Sequence, residues 1–141
     1  MTRAKKIKLT IATEAQEQKA LVQWITIHPL LADYFCKIDN EGYRKIIVKN
    51  GKEVPVGLFH ASAMGLRAGV SDLFIYYPTN RFHGMWIELK RNMNYPPSAR
   101  HSDTWQAQVK FQEQVKSKNY HAVTCYGWEH AKKEIEEYLM T

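Results

Sequence analysis

The stretch GLRAGVSDLFIYYPTNRFHGMWIELKR, Gly65 to Arg91, decides how the chain is read. It holds two short apolar runs, Asp72 to Tyr77 and Met85 to Lys90, separated by the turn-like segment Pro78 to Gly84. The spacing predicts a β-hairpin, antiparallel because the connection is too short for a crossover. Side chains two apart on a strand share a face, so Glu88 and Lys90 lie on one side and Ile87 and Leu89 on the other. Asp72 opens the first strand directly after a glycine-bounded turn. Two carboxylates and an ammonium on strands that should be buried form an unusual cluster. Trp86 shares the face of Glu88 and Lys90, so that face is not simply wet.

Working outward, Thr13-Glu-Ala-Gln16 reads as a capping box that opens a helix running to about Ile27, where His28-Pro29 stops it. Leu21, Trp24 and Ile25 give its buried face. Glu14 lies on the same side as Gln18, Leu21 and Ile25, at the N-terminal end of the face that enters the core. By itself Glu14 also fits a first-turn acid placed by the helix dipole. Tyr34 to Ile38 reads as a strand. Ile46 to Val48 and Glu53 to Val56 flank Asn50-Gly51, a strong hairpin signal, so a small ribbon is expected there. Its lysines fit either phosphate contacts or a solvated face. Leu58 to Met64 reads as a short helix ending at Gly65, and Gly69 as a second tight turn.

After the central hairpin, Asn92 to Ser102 reads as a loop. Ser102 or Asp103 caps a helix to about Lys118, and Asn119 ends it. His121 to Cys125 is a strand, and Gly127 turns into a last helix ending at Met140. Gln108 shares the core-facing side of Phe111 and Val115. A buried glutamine needs partners, and helix packing alone is one account of it. The order of elements predicts an α/β fold with a mixed central sheet flanked by helices.

Composition bounds the function. At 141 residues, 45% hydrophobic and 24% charged, the chain is expected to be one globular domain, residues 13–141, behind a basic N-terminal arm, residues 1–12. The arm fits a frayed tail or a segment that touches phosphates. No apolar run approaches the roughly 20 residues of a membrane-spanning helix, and no secretion signal is evident. Cys36 and Cys125 lack metal-ligand spacing, so no zinc site and no disulfide are expected, in keeping with a reducing, cytoplasmic setting. Lys and Arg number 20 against 14 Asp and Glu, a net charge of +6. The sequence pI is ≈ 9.3. That balance modestly favours a polyanionic partner such as nucleic acid.

Asp72, Glu88 and Lys90 fit metal-dependent phosphodiester hydrolysis. Carboxylate oxygens suit Mg²⁺, which keeps several waters and engages phosphates. A neighbouring lysine can orient a water or stabilise developing charge. The Leu89 carbonyl, between Glu88 and Lys90, is a further candidate ligand. The bare pattern of Asp followed by Glu-x-Lys has low specificity, and a surface Glu–Lys pair worth under about 1 kcal/mol is the plain alternative.

The residues GLRAGVSDLFI and WIELKR resemble the core of the VRR-NUC nucleases, a group within the PD-(D/E)xK superfamily that also contains Holliday-junction resolvases. The resemblance runs almost end to end. Glu14 to Trp24 is similar to the family's opening helix, Asn40-Glu-Gly42 with Arg44 to its glycine-containing turn, Gln108 to Phe111 to the helix after the Glu-x-Lys strand, and Tyr120 to Glu129 to the closing strand and helix. Ser71 departs from the family's usual proline, and the ribbon near 46–56 looks like an insertion.

The resemblance implies a PD-(D/E)xK core of αβββαβ order and a DNA endonuclease that uses Mg²⁺ or Mn²⁺. It implies catalytic roles for Asp72, Glu88, Lys90, Glu14 and Gln108, metal ligation by Asp72, Glu88, Leu89 and Glu14, and DNA contacts from Asn40, Arg44, Arg67 and Arg91. Glu17 is a neighbouring candidate for the helix carboxylate. The expected partner is branched DNA such as a four-way junction, cut by a homodimer in a phage or DNA-repair setting, with no membrane and no small-molecule cofactor. A flap or single-strand nuclease and a non-catalytic DNA-binding module on the same fold are the alternatives.

Overall fold

The computed structural model describes residues 10–39, 46–55 and 63–141. The Leu58–Met64 helix, Asn40, Arg44 and most of the N-terminal arm fall wholly or largely outside the described residues.

Local sequence accounts for where the elements begin. Helix α1 spans Glu14–Thr26. Thr13 Oγ1 accepts from the Gln16 backbone at 3.2 Å, and Gln16 Oε1 accepts from the Thr13 backbone at 2.9 Å. This reciprocal pair satisfies two N–H groups that a helix start leaves orphaned. Strand β1 is Phe35–Lys37. Strands β2, Ile46–Lys49, and β3, Lys52–Pro55, form the expected ribbon as a separate two-stranded sheet. Asn50 and Gly51 take φ of 53° and 74° at its tip, as a two-residue hairpin turn of matching twist requires.

The main sheet runs β1-β4-β5-β6, where β4 is Leu73–Ile75, β5 is Met85–Lys90 and β6 is His121–Tyr126. β4 pairs antiparallel with both β1 and β5. β5 and β6 are parallel, in register from Met85↔His121 to Lys90↔Tyr126. Parallel neighbours need a crossover. Helix α2, Asp103–Lys116, supplies it, capped by Ser102 Oγ accepting from Trp105 N at 3.2 Å. Part of the expected 92–102 loop is a short 3₁₀ turn, Pro97–His101. Asn119 sits at φ 63°, the left-handed conformation that ends the connection after α2. Helix α3, Trp128–Leu139, closes the chain.

The two faces of the sheet differ. Ile75, Ile87 and Leu89 pack with Leu21 and Ile25 of α1 and Ala131, Ile135 and Tyr138 of α3 in one closed core. Burying such side chains stabilises by about 1.5–3 kcal/mol each. The other face, under α2, is aromatic and polar. Phe74 stacks on Trp86 at 4.2 Å, Phe111 meets Trp86 edge-on at 5.0 Å, and Gln112 bonds Thr124 at 2.9 Å. No α2 residue is fully buried. Alternation along β5 places Ile87 and Leu89 in the closed core and Glu88 and Lys90 under α2. No helix among the described residues is long and apolar enough to cross a membrane.

Candidate active site

β5 outruns β4. The last registered pair is Leu73↔Ile87, so Leu89 lies beyond the end of the shorter strand. Its N–H instead meets Asp72 Oδ2 at 2.8 Å. On a strand the N–H and C=O of one residue face the same side. The Leu89 carbonyl is therefore directed past the end of β4, toward the Asp72 side. Asp72 is fixed in turn through its own carbonyl, which accepts from Ile38 N at 2.8 Å.

Glu88 is 3% exposed. Its Oε1 accepts from Gln108 Nε2 at 2.7 Å and lies 3.6 Å from Lys90 Nζ. Lys90 Nζ donates to Gln108 Oε1 at 3.0 Å and sits 4.6 Å from the centre of the Trp105 ring. The Gln108 amide is thus bonded through both ends, to the acid by its nitrogen and to the lysine by its oxygen. Glu88 Oε2 is buried without a hydrogen-bond partner among the described residues. Burial, then the charge of Asp72, pushes the Glu88 carboxyl up from 4.5 to about 8, with Lys90 opposing and Glu14 adding to the rise.

Glu14 lies exposed in the first turn of α1, within electrostatic reach of Glu88. Among the described residues no three His, Cys, Asp or Glu side chains converge as a ready-made metal group. Asp72 and Glu14 both act on the Glu88 carboxyl through their charge, Asp72 the more strongly. The donor set still suits a hard divalent cation, because Mg²⁺ is commonly held by one or two carboxylates, waters and substrate phosphates. An orphaned, buried carboxylate oxygen is the feature such an ion would satisfy.

Arg91 and Glu17 have structural partners. The Arg91 guanidinium donates to the carbonyls of Ala12 and Ile11, both at 3.0 Å, and holds the segment ahead of α1. Two of its five N–H donors are spent on the chain in this way. Glu17, and not Glu14 as the sequence suggested, takes the core-facing position with Leu21 and Ile25, and its Oε2 accepts from Trp128 N at 2.7 Å. Arg67 is exposed in the turn between Gly65 and Gly69. His83 lies before β5, at the end of the sheet opposite the cluster, where its backbone N–H meets Asn119 O at 2.9 Å.

Two neighbours escaped the sequence reading. Trp105 precedes Gln108 by three positions, a spacing that shares a helix face, and was legible there. Tyr95 accepts from Arg91 N through its hydroxyl at 3.1 Å. Its loop carries no periodicity that announces it.

No protein-family model matches the chain, and no curated protein does. A solved structure described as a VRR_NUC domain protein matches with a TM-score of 0.70 over 93% of this chain and 91% of that one, at 21% sequence identity. The chain has a VRR-NUC domain fold. Within the VRR-NUC fold the cluster sits at the carboxyl ends of the parallel strands β5 and β6, where open α/β sheets place their ligands.

Proposed function

We propose that this chain is a divalent-metal-dependent DNA endonuclease that hydrolyses phosphodiester bonds, acting as a homodimer on branched DNA such as four-way junctions. One observation carries the reading: a buried carboxylate with an orphaned oxygen, Glu88, joined through Gln108 to an ammonium, Lys90, beside a second carboxylate, Asp72. Buried polar atoms are ordinarily hydrogen-bonded, so the unmet oxygen calls for an explanation that an ion pair alone does not give. The neighbour's VRR_NUC description points the same way. The branched-DNA preference and the dimer rest on the sequence resemblance.

Asp72, Glu88, the Leu89 carbonyl and Glu14 would hold Mg²⁺ or Mn²⁺. The bound ion supplies charge neutralisation at the phosphate and a lowered pKa for water. Lys90, held by Gln108 and the Trp105 ring, is directed at the phosphate oxygens and the attacking water. Gln108 keeps the ammonium from collapsing fully onto Glu88. In hydrolysis the water oxygen forms the new bond to phosphorus and gives up its proton to solvent, while the bond from phosphorus to the sugar oxygen breaks with its electron pair on that oxygen, which takes a proton from solvent and leaves as the alcohol.

The test is cleavage of four-way junction, flap, single-stranded and linear duplex DNA with Mg²⁺, Mn²⁺ or EDTA. Metal-dependent cutting of the junction is expected, reduced by about 100- to 1,000-fold in Asp72→Ala and Lys90→Ala. Cleavage that survives both substitutions would overturn the site, and binding without cleavage under every metal would favour a non-catalytic DNA-binding module.

A further inference from the structure

A cleft of about 870 Å³ opens beside the cluster, lined by Tyr95, Trp105, Tyr126, Arg100, Asn92 and Asn94 among others. Its aromatic wall is built and braced. The Tyr95 ring lies 5.7 Å from Trp105 and 5.8 Å from Tyr126, tilted against both. The Tyr95 hydroxyl is tied to the Arg91 backbone at 3.1 Å. Trp105 belongs to two sites at once, because Lys90 Nζ stands 4.6 Å from its ring centre. Whatever enters the cleft is therefore one ring away from the lysine.

The lining matches a nucleotide in each of its parts. Aromatic faces stack on bases without regard to sequence. Asparagine amides match the hydrogen-bonding edges of bases. An arginine matches a phosphate. Bases inside a duplex have both faces covered by their neighbours, so only an unpaired or extruded base can present a face to such a wall.

We propose that this cleft takes one unstacked nucleobase of the strand being cut, so that the protein selects DNA with an unpaired or readily extruded nucleotide beside the scissile phosphate. This rests on the nuclease reading and adds to it the local state of the substrate.

The first measurement needs no cleavage. In EDTA, fluorescence anisotropy compares a single-stranded thymidine 12-mer with an abasic tetrahydrofuran 12-mer of equal phosphate number. The thymidine strand is expected to bind about ten-fold tighter or more, as one or two stacked bases imply. Tyr95→Leu should bring the ratio toward one and Tyr95→Phe should keep it, since the ring and not the hydroxyl carries the contact. Should Tyr95→Leu fail to fold, Tyr126→Leu removes another ring of the same wall and is read by the same ratio. Equal affinity for the two strands overturns the proposal, as does a ratio unmoved by Tyr95→Leu.

The second measurement moves a single abasic residue along a junction past the mapped cut. One position should lower kcat/KM by about ten-fold. Base-dependent binding with no cutting under any metal removes the nuclease reading and keeps the cleft. Cutting that is indifferent to every missing base keeps the nuclease and removes the cleft.

Discussion

Glu17 accepts a 2.7 Å hydrogen bond from the backbone N–H of Trp128, 111 positions away in the chain. Gly127 stands at the N-cap of helix α3 and has no side chain with which to cap it. The Glu17 carboxylate, 8% exposed, fills that office from another helix and also meets the positive end of the α3 dipole.

Glu17→Ala and Glu14→Ala should therefore fail in different ways. Loss of the Glu17 contact strands a backbone donor, and charged hydrogen bonds of this kind contribute about 1.5–3 kcal/mol. Urea unfolding should show that loss. Glu14→Ala, at an exposed first-turn position, should leave the urea midpoint nearly in place and lower cleavage or metal affinity by about 10- to 100-fold, as loss of an outer partner of a metal does. Equal loss of stability in both variants would mean that Glu14 has a structural role.

The carboxyl of Glu88 predicts a dependence on pH. Its value in the folded protein, about 8, lies above the ordinary 4.5. Between those values the folded state holds a proton that the unfolded chain has released, so stability falls as pH rises through the window and levels off above it. The slope is at most about 1.4 kcal/mol per pH unit. In EDTA, the urea midpoint should drop from pH 5 to pH 8, and Glu88→Gln should flatten that profile. Metal binding at the proposed site would displace the same proton. Calorimetry in two buffers of unlike ionisation enthalpy should therefore detect proton release at pH 7, and none in Glu88→Gln.

Gln108 joins acid and lysine through opposite ends of one amide, so its replacement should disturb both. Gln108→Ala is expected to lower kcat and weaken metal binding, each by about 10- to 100-fold. Gln108→Glu puts an acceptor where Glu88 now receives a donor, so the two acids should repel and the rate should not be restored. A glutamine that merely packs would tolerate alanine without change in either constant.

The parts of this fold that were legible in sequence are those whose partners lie close by along the chain. The Thr13–Gln16 box and the Asn50-Gly51 turn are satisfied within a few residues, and the alternation in MWIELK fixes which side chains face α2. The Glu17–Trp128 bond and the grip of Arg91 on Ile11 and Ala12 span most of the chain. The four-residue spacing of Glu17 with Leu21 and Ile25 marks it as the buried first-turn acid, but nothing local names Trp128 as its partner or separates Arg91 from any cation beside a site. Packing against a distant element decides both. The cleft was illegible for the same reason, since Tyr95 and Tyr126 meet only after β6 has been laid beside β5.

Ser71 offers a test on the border of the site. It is 1% exposed, and its hydroxyl has no hydrogen-bond partner among the described residues. A buried, unmet hydroxyl costs stability, on the order of 1–3 kcal/mol. Ser71→Ala removes the hydroxyl and nearly keeps the volume, so thermal unfolding should shift upward by a few degrees, roughly the equivalent of 1 kcal/mol. Cleavage should be unchanged, because the proposed metal site draws on the neighbouring Asp72 and not on the Ser71 hydroxyl. A lower midpoint would mean that the hydroxyl has a partner in solution.

Gly69 links the turn before Asp72 to the helix that carries Gln108. Its φ is +85°, and a Cβ built there would stand 2.3 Å from the Ala107 carbonyl oxygen and 2.9 Å from the Gln108 nitrogen. Both obstacles are backbone, so no side chain can swing aside. Gly69→Ala must therefore move α2 away from the sheet or move the turn, and it also forces a side chain into a conformation that favours glycine. The cost should exceed the roughly 1–2 kcal/mol of the backbone strain alone. The displacement acts at Gln108, the residue that couples Glu88 to Lys90, so activity should fall further than stability predicts. The check is kcat at a temperature where circular dichroism shows the variant fully folded. By contrast, a Cβ added to Gly65, at φ +92°, would meet nothing within 4 Å among the described residues. Gly65→Ala should show the strain alone, with a lowered urea midpoint and normal kcat in the folded fraction. If both variants lose kcat equally, the close approach of Gly69 to α2 is not what places Gln108.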